Sequence, residues 1–436
     1  MRSARRGRTD RTQKMSQMSS SSKVSWLAAM VVGAAFAGGC AVATPDGDGA
    51  APGDRGGELD DYLDRLLAPA AIQHRFTLDS GDRVECIDID AQPAARGLAA
   101  AGLSVQRAPS KTPAAASLVD RSEALVALPG DRDPDGNLRA CPDDTVPVLA
   151  IDRDRLRGHV GVAELRRKAP GADAPALPSA AAAAARSRHQ YAWTERFGEH
   201  RGAGSRINVW YDEVARSTEF ALSQIWVSRG DGAELETVEV GVQQYPLLYG
   251  DDLPRLFVYF TPDGYASGGC YNLTCGGFVQ VSSRVLLGGP VAAHSAVDGA
   301  QVELKALWYK DGDGGDWWLQ IGGTWVGYYP RDLFDGGGLR DRADYVGFGG
   351  EIIDADPDDH TETDMGSGAF PSAGWRRAAY QRDLRSVDLA GDDADLGELV
   401  GMRTDAGCYD IEVGDDPQSW GRYFFFGGPG YGPSCR

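Results

Sequence analysis

From His189 onward the chain is a succession of short strand-like runs cut apart by Gly, Asp and Asn, and few folds accommodate that pattern. Ile207-Asn208-Val209-Trp210, Phe220 to Val227, Thr237 to Val242, Leu256 to Thr261, Phe278 to Ser282, Gln301 to Tyr309, Trp317 to Ile321 and Tyr423 to Phe426 each have strand length and strand-forming residues. Turn residues separate them, as in Asp311-Gly312-Asp313-Gly314-Gly315-Asp316. That acidic stretch reads as a hairpin turn, because no carboxylate follows at the spacing of an EF-hand calcium loop. No helical periods alternate with the strands. The prediction is a mainly β chain, with an antiparallel β-sandwich in its second half.

The first half is patterned differently. Thr44 to Gly57 is rich in Gly, Asp, Pro and Ala without apolar period, so 41–57 reads as a flexible linker. Leu63, Leu66 and Leu67 share one face of a short helix expected from Leu59 to Leu67. Val84 to Ile89 and Val146 to Ile151 read as strands, which makes 58–164 a smaller α+β domain. The Ala-rich, Pro-punctuated stretch 165–188 buries little area and reads as a second linker, with a short Ala helix as the alternative and 189–436 as the sandwich domain.

Six basic residues, Arg2, Arg5, Arg6, Arg8, Arg11 and Lys14, open the chain, and Lys23 closes this lead. The apolar run Trp26 to Ala37 follows; it has the length of a signal-peptide core and is short for a bilayer span. Residues 1–40 are therefore expected to direct export, with Met15 and Met18 as alternative starts. Ala37-Gly38-Gly39-Cys40 resembles a bacterial lipobox, with Ala37 where Leu is usual, and an ordinary cleavage site is the other reading. An exported chain tends to pair its cysteines. Export and the even count within each half predict Cys86–Cys141, Cys270–Cys275 and Cys408–Cys435. That leaves Cys40 unpaired or lipidated, on a protein that is secreted or held at the cell surface or outer membrane.

A formal charge of -19 argues against a nucleic-acid partner, which needs clustered Lys and Arg. The sequence contains no Gly-x-Ser-x-Gly elbow, phosphate-binding loop or His-Glu-x-x-His motif. His360, ahead of Thr361-Glu362-Thr363-Asp364, reads as part of a solvated loop. No metal or cofactor is expected, and carboxylate chemistry remains.

Gln224-Ile225-Trp226, Val238-Glu239-Val240-Gly241, Tyr249-Gly250-Asp251, Asp263-Gly264-Tyr265, Gly269 to Leu273 and Cys275 to Gln280 resemble consecutive landmarks of the neprosin catalytic domain. Trp317 to Gln320, Val326-Gly327-Tyr328, Phe348-Gly349-Gly350-Glu351, Met365 to Gly368, Cys408-Tyr409-Asp410 and Tyr423 to Pro429 continue the likeness. It runs with few gaps from about Ala203 to Cys435. More weakly, Cys86 to Ile89, Gln92-Pro93-Ala94, Cys141-Pro142 and Thr145 to Pro147 are similar to the family's activation-peptide domain, which makes 58–164 a pro-domain. The resemblance implies a glutamic endopeptidase that cleaves after proline, and places the two catalytic glutamates on Glu239 and Glu351.

Two carboxyls close together suit peptide hydrolysis, since one activates water while the other keeps a proton into mildly acidic pH. No histidine near the pair is expected. Glu239 shares a strand face with Thr237 and Gln243. Gly349-Gly350 would let a substrate backbone approach. Gln224, Gln243 and Tyr265 are candidate oxyanion donors or substrate positioners, and Trp226 either stacks on a substrate proline or fills the core. The rival reading is a noncatalytic, surface-anchored sandwich that binds carbohydrate or peptide through Trp317-Trp318 and Trp325.

Overall fold

The computed structural model describes residues 52–66, 71–113, 132–156, 161–168 and 189–435, apart from 267, 313, 335, 337 and 356–359. The expected signal segment, Cys40 and most of both expected linkers lie outside them.

Helix α1 (Pro52–Leu66) opens the described chain. It begins inside the expected linker, with Pro at a first-turn position where its missing N–H costs nothing. Leu59, Leu63 and Leu66 are buried against Leu156 and Leu165, and this docking fixes a helix that its glycines would not favour alone. Strands β1 (Ile72–Thr77), β2 (Arg83–Asp88) and β3 (Thr145–Leu149) form an antiparallel sheet, stapled by Cys86–Cys141. Helices α2 (Pro93–Ala100), α3 (Arg153–Leu156) and α4 (Val162–Arg166) complete this half.

The second half supplies β4 (His189–His200), β5 (Gly202–Asn208), β6 (Ala221–Arg229), β7 (Glu236–Gln244), helix α5 (Pro246–Tyr249), β8 (Arg255–Thr261), β9 (Cys270–Tyr271) and β10 (Val279–Gln280). After these come β11 (Glu303–Lys310), β12 (Trp317–Ile321), β13 (Thr324–Tyr329), β14 (Ala343–Ile353), β15 (Ala379–Val387), β16 (Asp393–Ala394), β17 (Met402–Arg403), β18 (Asp410–Asp416) and β19 (Gly421–Gly427). One sheet has the order β10-β13-β12-β11-β5-β15-β19-β18, with β16 on β15; the other runs β17-β4-β14-β6-β7-β8-β9. Every pairing in them is antiparallel.

Strand periodicity builds the core. On β7, Val238, Val240 and Val242 join Ile225, Val258, Leu304, Trp308, Phe348 and Phe424 in one buried cluster. The alternate residues of β7, Thr237, Glu239, Gly241 and Gln243, therefore lie on the opposite face of their sheet. Disulfides Cys270–Cys275 and Cys408–Cys435 close two loops of this half.

Ala50–Arg436 is one compact unit. Polar contacts join the halves. Gln92 Nε2 donates to the Gln280 carbonyl at 2.7 Å, and the Gln280 N–H donates to Gln92 Oε1 at 2.8 Å. Buried Arg255 donates to Asp251 of its own half and, at 2.8 Å, to Asp82 of the other. The Asp311 turn accepts from the Ser110 N–H and hydroxyl.

Candidate active site

The outer face of the β4-β14-β6-β7-β8 sheet carries the site. Cross-strand register sets Trp226 opposite Glu239, Gln224 opposite Gly241, and Gly349 opposite Gln224. Glu351 stands on β14 beside Tyr191 of β4 and Leu222 of β6. The two glutamates thus come from strands separated by β6, with Gln224 and two glycines in the row between them. Both carboxyls are fully buried.

One cation joins them. Lys168 Nζ donates to Glu239 Oε2 and to Glu351 Oε2, each at 2.7 Å. It is itself buried, 5.7 Å from the Trp226 ring centroid and 5.8 Å from that of Tyr265. Lys168 follows helix α4, within the stretch 165–188 that reads as a linker. Groove tyrosines seat this segment: Tyr271 donates its hydroxyl to the Lys168 carbonyl at 3.0 Å, and Tyr259 to that of Arg166 at 3.3 Å. The available signal was Lys168 itself, a lysine after Arg166-Arg167 in a chain whose cations are mostly Arg. A compact ammonium fits between two carboxylates where a guanidinium fork is too broad.

Glu351 accepts two further bonds. Gln224 Nε2 donates to Oε2 at 2.8 Å, and His189 Nδ1 donates to Oε1 at 2.6 Å. The expectation of no histidine near the pair is therefore corrected. Strand β4 carries few apolar residues in alternation, so its start at His189 was not legible from periodicity. Glu239 accepts from the Tyr265 hydroxyl at 2.6 Å and from Thr237 Oγ1 at 2.9 Å, both on Oε1. Tyr265 adopts φ of +65°, and its N–H donates to Thr261 Oγ1 at 2.8 Å, which holds the phenol over the carboxyl.

Other expected residues fall elsewhere. Gln243 shares the sheet face but donates to the Tyr249 hydroxyl at 2.8 Å, away from the pair. Gly350 faces the core: a Cβ there would stand 2.5 Å from a Phe426 ring carbon and 2.8 Å from Met365 Sδ. Gly349 faces the site, but a Cβ on it would lie 2.5 Å from the Ala192 carbonyl oxygen of β4. Both glycines are thus required by packing within the protein, and the substrate-approach role is not needed to explain them. Trp226 is buried and borders the site, so its two readings merge. Thr361 and Thr363, flanking exposed Glu362, are buried and bind Glu219, so the loop after His360 is solvated only in part.

The electrostatics follow from burial and charge. Burial alone would raise the Glu351 pKa, but Lys168 and His189 outweigh it and hold the carboxyl below its usual range. Burial would lower that of Lys168, but Glu239 and Glu351 hold it above the usual range. Burial, then the Glu239 charge, pushes Tyr265 well up, so its phenol stays a donor. Pairing with a charged carboxyl does the same after burial for Tyr191, beside Glu351.

An antiparallel sandwich with a buried glutamate pair on one sheet face, ringed by Gln, Tyr and Trp, defines a hydrolase of the glutamic peptidase class. Residues 217–429 match the family model Neprosin, and this domain is a member of the neprosin family. The chain is also similar to solved structures, at low identity. One is scytalido-glutamic peptidase with a peptide-based transition-state analogue: 11% identity, 55% of this chain and 98% of that one, TM-score 0.32. Another is SCP-B of the eqolisin family, in complex with the tripeptide Ala-Ile-His: 11% identity, 55% and 96% coverage, TM-score 0.28. A third is a homodimeric agglutinin from chicken liver: 9% identity, 37% and 91% coverage, TM-score 0.19.

Proposed function

We propose that this chain is an exported endopeptidase that cleaves on the C-terminal side of proline in acid, and that its first half holds it inactive through Lys168. The observation that carries this reading is a single ammonium nitrogen 2.7 Å from both glutamates. An attacking water belongs in that place. While Lys168 fills it, neither water nor substrate carbonyl reaches the pair.

With Lys168 withdrawn, the geometry supports unequal roles. Glu351, with Gln224 and His189 donating to it, is the carboxylate that takes a proton from water. The water oxygen then bonds to the scissile carbonyl carbon. Glu239, in its protonated form, polarises the carbonyl oxygen, and the proton taken by Glu351 passes to the leaving amine as the C–N bond breaks. Gln224, between the two, is placed to donate to the developing oxyanion. Trp226, opposite Glu239, offers an aromatic face to a proline ring. Three disulfides among the described residues support export, since such bonds persist in oxidising compartments. The basic lead, the apolar run and Cys40 support a lipid anchor at a membrane surface.

Acid is required twice. One carboxyl must be protonated for catalysis, and protonation of either carboxyl weakens the hold on Lys168. The test incubates purified full-length protein with a proline-containing peptide from pH 3 to pH 8 and maps the cuts. Cleavage after proline, confined to acid and indifferent to chelators, is expected. Cuts without regard to proline, or a rate that climbs through neutral pH, would remove the specificity or the carboxylate mechanism. A chain inert both as wild type and as Lys168→Gln would favour the carbohydrate- or peptide-binding alternative, which has no need of a glutamate pair.

A further inference from the structure

We infer that His189 is a positioning residue for the reaction: it keeps Glu351 charged in acid, through its Nδ1 hydrogen bond, once Lys168 has left. This rests on the peptidase reading above. The groups facing Glu351 are Lys168 after α4, His189 and Tyr191 on β4, Gln224 on β6, Glu239 on β7, Tyr265 beyond β8 and Tyr271 on β9. Gln224 is a neutral donor, the tyrosines are held un-ionised, and Glu239 is a like charge when ionised. Of the two residues that draw Glu351 toward its charged form by charge, Lys168 belongs to the removable segment. His189 belongs to the sandwich and remains.

The fold fixes that ring. Strand β4 pairs with β14 through His189 opposite Ile353 and Tyr191 opposite Glu351, so the imidazole starts one strand away from the carboxyl. It stacks on Tyr191, with centroids 6.2 Å apart and planes 16° apart, and meets Phe220 at 6.1 Å and 61°. A nitrogen donor that is able to carry charge favours the ionised form of the carboxyl it bonds. An imidazolium donating to Glu351 preserves the carboxylate that must accept a proton from water. Without it, acid would neutralise both glutamates and leave no base.

The test separates charge from shape. His189→Asn sets a neutral amide N–H near the position of Nδ1, and His189→Lys restores a cation. In full-length protein carrying Lys168→Gln, the acid limb of kcat/KM should move up by about one pH unit or more in His189→Asn. The rate one unit below the wild-type limb then falls about 10-fold, and His189→Lys returns the limb toward wild type. Carbon-13 NMR of carboxyl-labelled glutamate follows Glu351 directly in the same full-length chain, its signal identified by loss in Glu351→Gln. Its midpoint should rise in His189→Asn and stay in His294→Gln, which alters an exposed ring. A folded His189→Asn protein with unmoved limb and unmoved Glu351 midpoint overturns the inference, as does a uniform loss of rate at every pH. A chain that cleaves nothing as wild type and as Lys168→Gln, with the midpoint still rising in His189→Asn, would remove the peptidase reading and leave the His189–Glu351 pairing standing.

Discussion

Glu239 and Glu351 are both fully buried, yet their surroundings differ in kind. Glu351 faces His189 and Gln224, while Glu239 accepts from a phenol and an alcohol. Nitrogen donors, one of them able to carry charge, favour a carboxylate; hydroxyls serve a carboxyl in either state. Replacing either glutamate by Gln keeps volume and hydrogen-bonding reach but removes proton transfer. Hydrolysis of a proline-containing peptide at acidic pH should therefore fall at least ~10²-fold in each variant, with circular dichroism unchanged. The double variant should be hardly slower than either single one, because groups acting in one step are not additive. Glu362→Gln, on an exposed side chain, should cleave at the wild-type rate. Turnover within a few-fold of wild type by a folded single variant would sink the two-glutamate mechanism.

At the level of elements, β14 shows how a strand can be both scaffold and site. Its sequence Ala-Asp-Tyr-Val-Gly-Phe-Gly-Gly-Glu-Ile-Ile sends Val346, Phe348 and Ile352 into the core and Glu351 outward. Three glycines interrupt the alternation, so composition does not announce a central strand. Gly350→Ala puts a methyl into the contact of Phe426 with Met365 and should cost about 1–3 kcal/mol in chemical denaturation. An unchanged midpoint would show that this part of the core has room. The strands that were legible, such as β7, β8 and β12, alternate cleanly or run apolar throughout. Those that were not, β4, β14 and β15, carry Gly, Glu, Gln and Arg at positions where partners elsewhere in the fold satisfy them. Gln381 of β15, for example, accepts from Ser205 and donates to Ser223, bonds that no local pattern foretells. The site divides the same way. Glu239, Glu351, Gln224 and Tyr265 lie in motifs, whereas Lys168 and His189 become visible only when distant segments meet.

Over the whole molecule, the first half is held to the second by polar and charged contacts and by shared apolar clusters, Ala94 with Trp318 and Tyr328 in one and Phe76 and Val84 with Leu286 in another, and none of the three disulfides crosses between them. Cys86–Cys141 lies within the first half, so no covalent bond joins the halves once the connecting chain is cut. The charge on Glu351 should govern when they do. Its folded pKa lies below the ordinary carboxyl value, in part because Lys168 is bound. A depressed carboxyl contributes stability that is present above its unfolded pKa and is lost as pH falls through its folded pKa. The lysine's hold is thus full at neutral pH and fades in acid. A protease site placed within 169–188 lets this be measured by size-exclusion chromatography of the cut protein. At pH 7 the two pieces should elute together, and below about pH 4, the ordinary carboxyl range, they should separate. Lys168→Gln removes the cation between the glutamates and should bring separation at a higher pH. Co-elution of the wild-type pieces down to pH 3, or the same separation pH for Lys168→Gln, would show that the apolar clusters with Arg255, Gln92 and Ser110 hold the halves and that Lys168 is not the acid-sensitive contact.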